Sequence, residues 1–345
     1  MERKELFRYT GNPAQVFSAR RIIYAEGNAE GMSAIDVKSA TGLHFTVLEG
    51  RGLDLYEMDY KGVNLAFMSK NGLTSGERFG VGPGEFLHGM NAGMMFTAGL
   101  LNVGPDHYID GTYHPLHGTI GSKAACEVYA RTDESRQTIE VGGKLQESAL
   151  FGENLWVNRK ITADGKSPRI VIEDTVENRT STAIPVDILY HCNLGYPFLD
   201  EGVKLYTSPG SVVGRTPEAQ AAIDAHNVMT APIDEQPEEV FIHDLDADEK
   251  GMTTMLAVNE KLRLGVYVRA SKATLPVFNE WKSMASGDYA LGMEPANNRL
   301  RSRAGELEAG FLPTLEGFGT MNFRVEIGVL DGMTRINAFI AKYCK

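Results

Sequence analysis

Along most of this chain apolar and polar residues alternate with a period of two. The runs are short and end in glycine or asparagine, as in Arg21-Ile22-Ile23-Tyr24 and His44-Phe45-Thr46-Val47-Leu48. That alternation is the signature of strands with one buried face. Similar runs recur at 125–130, 138–141, 155–161, 170–177, 183–189, 254–258, 262–267 and 322–330. Helical periodicity is confined to a short stretch at 217–225 and a closing segment at about 332–343. Many strands with almost no crossover helices exclude a parallel α/β sheet and predict two stacked antiparallel sheets, an all-β sandwich. The patterning is alike on both sides of the acidic, proline-containing stretch 231–250, which is expected to be a long surface loop. Residues 1–345 are therefore expected to form a single domain with a short C-terminal helix.

Composition narrows the classes of partner. The 345 residues are 43% hydrophobic and 23% charged, with 37 glycines, which suits a folded protein rich in tight turns. A net charge of −11 without a basic cluster argues against nucleic acid. Cys126, Cys192 and Cys344 are scattered and form neither a CxxC motif nor an even-numbered framework, so a zinc knuckle or disulfide scaffold is not indicated. The charged start Met1-Glu2-Arg3-Lys4 lacks a signal-peptide core, and no apolar run is long enough to span a bilayer. The glycine-rich segment 89–104, interrupted by Asn91, Thr97 and Asn102, reads as buried strand and loop. A cytoplasmic protein with no membrane partner is expected.

Against this background, three segments place ionisable groups where strands should be apolar: Pro115-Leu116-His117-Gly118, Leu189-Tyr190-His191-Cys192-Asn193 and Leu291-Gly292-Met293-Glu294-Pro295. Two imidazoles and a carboxylate suit proton transfer to and from hydroxyl or ring oxygens near neutral pH. Each has a bland alternative. His191 could be a structural histidine bonded to a carbonyl, and Glu294, just before a proline expected to end regular pairing, could be ion-paired with Arg299 or Arg301. His117 lies within eleven positions of His107 and His114, which raises a metal site, although no recognised ligand spacing is present. Arg51, between two glycines, could reach a ligand or pair with Glu49 or Asp54. Trp281 and Lys282 offer a flat apolar face beside a cation, with core packing as the alternative for the tryptophan.

His117-Gly118, His191 and Glu294, in this order along a nearly all-β chain, resemble the aldose 1-epimerase (galactose mutarotase-like) superfamily. Gly50-Arg51-Gly52-Leu53-Asp54, Pro115-Leu116-His117-Gly118, Leu194-Gly195-Tyr196-Pro197 and Gly292-Met293-Glu294-Pro295-Ala296-Asn297 resemble a poorly characterised bacterial branch of it. The resemblance runs from about residue 21 to about 330. It implies an antiparallel β-supersandwich with a sugar cleft on one sheet, and an isomerase that interconverts sugar anomers. Glu294 would be the base, His191 the acid and His117 the orienting histidine, with no cofactor and no metal. Arg51, His107, Asn193, Trp281 and Lys282 are the expected substrate contacts, and the partner would be a small sugar or sugar acid. The chain departs from the better-known branch after the acid, where it has His191-Cys192-Asn193-Leu194-Gly195, and it lacks that branch's arginine motif. The pocket is thus expected to be rebuilt around a retained acid/base pair. A carbohydrate-binding or regulatory protein on the same scaffold is the alternative, while hydrolysis would need a second placed carboxylate.

Overall fold

The computed structural model describes residues 3–344. Among these, the strands form two large antiparallel sheets, one of eleven strands and one of eight. In the larger sheet the spatial order is Ser18–Ile23, Ser33–Lys38, Leu43–Leu48, Asp54–Tyr60, Met95–Leu100, Asp187–Leu194, Asp288–Ala296, Val277–Ala285, Glu239–Leu245 and Gly210–Gly214, with Val63–Asn64 paired to Asp54–Tyr60. The smaller sheet runs Lys204–Thr207, Met252–Asn259, Leu264–Ser271, Thr320–Asp331, Arg169–Asn178, Asn154–Ala163, Thr138–Ser148 and Cys126–Asp133. The helix Met333–Tyr343 packs through Ile336 and Phe339 onto Leu256, Val258 and Tyr267.

Alternation decides which face each residue serves. In Asp187–Leu194 every residue is buried. Ile188, Tyr190, Cys192 and Leu194 join the core shared by the two sheets, while Leu189 belongs to a second cluster on the far face. The neighbouring strand Asp288–Ala296 behaves likewise: Leu291 and Met293 point into the shared core and Ala296 to the far cluster. His191 and Glu294 therefore both rise from the far face, away from the inter-sheet core.

One polar network crosses between the layers. Arg159, with no side-chain exposure, pairs with Asp174 at 2.6 Å and with Asp54 of the larger sheet at 2.9 Å, and the Tyr190 hydroxyl donates to Asp174 at 2.7 Å. Buried charges persist only when paired and hydrogen-bonded in this way.

Two local expectations are corrected. Within the presumed loop 231–250, residues Glu239–Leu245 form a strand whose register with Val277–Ala285 runs from Glu239↔Lys282 to His243↔Phe278. Its alternation was masked by the acidic, proline-containing flanks. Pro295 does not end its strand either, since it pairs with Phe278 and the strand continues to Ala296.

Candidate active site

Pairing on both sides of His191 fixes the centre of the site. Leu189 lies opposite Ala296 and Cys192 opposite Met293, so His191 falls opposite Glu294 on the adjacent strand. Directly opposed side chains on one sheet face are close enough to interact, and His191 Nε2 lies 3.0 Å from Glu294 Oε1. The approach is close without hydrogen-bond alignment, because Glu294 Oε1 and His191 Nδ1 are both buried and lack a hydrogen-bond partner. Arg299 and Arg301, the alternative partners for Glu294, pair instead with Asp244 and Glu306.

Space for the carboxylate comes from Gly292, two positions earlier on the same face. A Cβ there would lie 3.2 Å from Glu294 Cδ, nearer still to Oε1, and 3.0 Å from Trp281 Cβ. The glycine thus serves as the bed on which the Glu294 carboxyl lies.

His117 arrives from a loop. Its backbone donates to the Gly104 carbonyl at 3.1 Å and accepts from Gly99 N at 3.0 Å, which docks the turn onto the end of Met95–Leu100. Gly118 has φ +70°, and a Cβ there would collide with the Gly99 and Asn102 carbonyls, so this position demands glycine. His117 itself sits at φ +58°, a left-handed conformation that a non-glycine residue holds only at some cost. Its Nδ1 accepts from Gly104 N at 3.4 Å, which leaves Nε2 as the ring's donor. The His117 and His191 rings stand edge to face 5.9 Å apart.

These three residues line a cleft of about 510 Å³. Its apolar lining includes Phe86, Leu87 and Met90 together with Phe67 and Trp281, whose rings meet edge to face at 6.1 Å. Trp281 stands edge-on to His191 at 5.4 Å and donates Nε1–H to Glu238 at 2.7 Å, so its ring is fixed in place. Arg215 also lines the cleft, with one guanidinium nitrogen on the Leu300 carbonyl at 3.2 Å.

Burial governs the protonation of all three central groups. It raises Glu294 well above the usual carboxylate range, reinforced by Glu238 and opposed by Arg215. It pushes His191 down to about 4, against the Asn193 side chain, and His117 down to about 3, with His191 and Arg215 acting in the same direction. The cleft thus disfavours charge on either member of the His191–Glu294 pair.

Other expected contacts fall elsewhere. Arg51 is buried, with its guanidinium on the carbonyls of Gly121 (2.9 Å) and Thr74 (2.8 Å) and over the Phe79 ring, so it braces these loops and neither lines the cleft nor forms a surface ion pair. Lys282 is one residue from Trp281 and so points to the opposite face, where Nζ donates to the Ala225 carbonyl at 2.9 Å. Asn193 spends its amide on the carbonyls of Gly93 and His191, at 3.0 and 2.9 Å. His107 stacks on His114 in a hairpin outside the cleft, with ring centroids 5.2 Å apart, and this pair does not gather with His117 into a ligand set. Arg215 and Glu238 were not legible in the sequence, since nothing in their spacing links them to residues 117, 191 and 294.

Comparison with known proteins places this geometry. A family model described as Domain of unknown function (DUF4432) matches residues 29–329. No curated protein matches the sequence. Among solved structures, a protein of Klebsiella pneumoniae described as a candidate aldose 1-epimerase superposes with a TM-score of 0.90 at 22% identity, over 96% of this chain and 89% of that one. A galactose mutarotase-like protein of Clostridium acetobutylicum gives 0.65 at 14% identity, covering 92% of this chain and 99% of that one. Galactose 1-epimerase of Lactobacillus acidophilus gives 0.62 at 13%, again over 92% and 99%. At these identities the likeness is one of fold, the antiparallel galactose mutarotase-like sandwich.

Proposed function

The chain belongs to the DUF4432 family, and we propose that it is an isomerase of the aldose 1-epimerase type, interconverting the anomers of a small sugar or sugar acid by general acid/base ring opening. The observation that carries this is the His191–Glu294 pair: opposed on adjacent strands, 3.0 Å apart, and with unpartnered buried polar atoms beside an aromatic-walled cleft. In a cyclic sugar the anomeric hydroxyl and the ring oxygen share one carbon, so a base for the first and an acid for the second must stand side by side. Opposed residues on one sheet face supply that spacing.

Glu294 takes the proton of the anomeric hydroxyl while His191 protonates the ring oxygen. The bond from the anomeric carbon to the ring oxygen breaks, an open-chain aldehyde forms and turns, and closure on its other face returns both protons. The pair shares one mobile proton. Burial leans it toward Glu294, and hydrogen bonds from bound sugar hydroxyls to the carboxylate shift it to His191. His117 Nε2–H orients the sugar, and the Trp281 face takes its C–H surface. Arg215, a cleft-lining guanidinium, reads an acidic substituent where the sugar carries one.

Anomer exchange measured by saturation-transfer NMR across aldoses, ketoses and uronic acids tests the proposal. Exchange by the wild type that disappears in Glu294→Gln and His191→Asn supports it. Saturable sugar binding without exchange in the wild type would overturn it in favour of a carbohydrate-binding protein.

A further inference from the structure

On the opposite face of the same sheet, three side chains that the proposed chemistry does not use converge. Glu280 lies on Val277–Ala285 between Asn279 and Trp281, so alternation turns it away from the cleft, and it is fully buried. On the adjacent strand Phe241 is opposite Glu280 and His243 opposite Phe278, which makes His243 a diagonal neighbour of the carboxylate. His226 follows the turn Ile223–Ala225, and Lys282, two residues beyond Glu280, holds that turn by its bond to the Ala225 carbonyl.

The ligating atoms of the three residues all lie within 4.8 Å of one another. His226 Nδ1 and His243 Nε2 approach the same carboxylate oxygen, Glu280 Oε2, at 2.8 and 2.9 Å. The other oxygen, Oε1, is buried and has no hydrogen-bond partner. Two imidazoles crowd one oxygen while its twin has none, so a hydrogen-bonded triad leaves this carboxylate half satisfied. A cation drawing both nitrogens and the carboxylate to itself would complete it.

We propose that His226, His243 and Glu280 bind a divalent transition-metal ion of the zinc type. Two imidazoles and one carboxylate form a borderline-soft ligand set suited to zinc. With metal–ligand bonds of about 2.1 Å in a tetrahedron, ligand atoms stand roughly 3.4 Å apart. The present N···O contacts need open by only about 0.5 Å, within reach of small side-chain rotations. Side-chain exposure is 15% at His226 against 2% and 0% at His243 and Glu280, so entry and the open coordination position face the His226 side. The ion would pin the His226 turn to the strands whose other face carries Trp281. The site stands independently of the isomerase proposal.

The full-length protein, stripped with a chelator, is titrated with Zn²⁺ and with Co²⁺ as a spectroscopic probe. One equivalent should bind, Co²⁺ should give the visible absorption of a tetrahedral N/O site, and Zn²⁺ should raise Tm. His226→Gln, at the most accessible ligand, should fold normally and weaken zinc binding at least tenfold, and Glu280→Gln should abolish it. His114→Gln, which breaks the half-buried His107/His114 stack outside this cluster, should leave zinc binding unchanged. The proposal is overturned if the wild type binds no stoichiometric zinc, if His226→Gln binds as the wild type does, or if His114→Gln removes the binding. Should Glu280→Gln not fold, His226→Gln decides alone.

Discussion

Gly292→Ala tests the placement of the Glu294 carboxyl with a single added methyl. The new Cβ would lie 3.0 Å from Trp281 Cβ and 3.2 Å from Glu294 Cδ, and closer still to Oε1, inside the range of ordinary contact that begins near 3.4 Å. Trp281 is fixed by Glu238 and the backbone by pairing on both sides, so the carboxylate is the part that yields, by about 1 Å. Displacement of a reacting group by that distance costs about 10²-fold in rate, or about 2.7 kcal/mol of transition-state stabilisation. The fold should tolerate the change, because alanine in a strand is favoured over glycine by roughly 0.5–1 kcal/mol, which offsets part of the strain. Anomer exchange by saturation-transfer NMR and a thermal melt are run in parallel. A loss of about 10²-fold in exchange with Tm held within a few degrees is the expected result. Exchange within about threefold of the wild type would refute the view that the carboxyl's present position matters.

Four further outcomes follow from the structure. Arg159→Met leaves Asp174 and Asp54 without their counter-ion in a dry layer and should cost about 3–5 kcal/mol in urea denaturation; a loss under about 1 kcal/mol would show that the network is not a tie between the sheets. His191 and His117 are held at about 4 and about 3, below the ordinary 6.5, so the unfolded chain binds more protons over that window. Their contribution should therefore be full above pH 6.5 and be lost as pH drops toward 4, by up to about 1.4 kcal/mol per pH unit for each group, so His191→Asn should shift the slope of stability against pH by about that amount over the window; an unchanged slope would contradict the burial account. Glu294, raised, has the opposite sign, since its contribution is present at low pH and lost as pH rises through its folded value, so Glu294→Gln should be more stable than the wild type at pH 8 by denaturant melt. Arg215→Gln should raise KM about tenfold for uronic acids and leave neutral aldoses unchanged, and equal effects on both would remove Arg215 from anion recognition.

The sheets were legible because alternation with turn punctuation needs only local sequence. His191 and Glu294 were legible for a related reason, as polar groups in otherwise apolar strands. The Glu239–Leu245 strand escaped because its alternation sits inside a charged, proline-bearing stretch, and with it went His243. Lys282 could have been assigned correctly from parity alone, since neighbours on one strand cannot both line the same cleft, and Trp281 takes that face. Arg51 could not: a guanidinium between two glycines reads the same whether it meets a ligand or, as here, the carbonyls of residues 74 and 121. Arg215, Glu238 and the cluster of His226, His243 and Glu280 depend on pairings between distant segments, which no local pattern encodes.

Glu294 differs in kind from the other buried acids. Among the described residues, every other buried carboxylate accepts a hydrogen bond: Asp36 from Arg20, Asp54 from Thr97 and Arg159, Glu147 from Leu100, Asp174 from Arg159, Asp187 from Val103 and Asn298, Glu280 from its two histidines, Glu306 from Arg299 and Glu326 from Arg324. Glu294 is 2% exposed and accepts none, and the imidazole 3.0 Å away is a histidine whose own charge the same burial suppresses. For folding alone such a group is a liability of a few kcal/mol, and an apolar side chain of similar size would serve the strand better. Gly292 compounds the cost, giving up side-chain packing in the strand to leave room for that carboxylate. A glycine and an unsatisfied acid placed together at the floor of a cleft trade stability for an open acceptor, and an acceptor beside an imidazole on the same sheet face is the arrangement that proton exchange at a single sugar carbon requires.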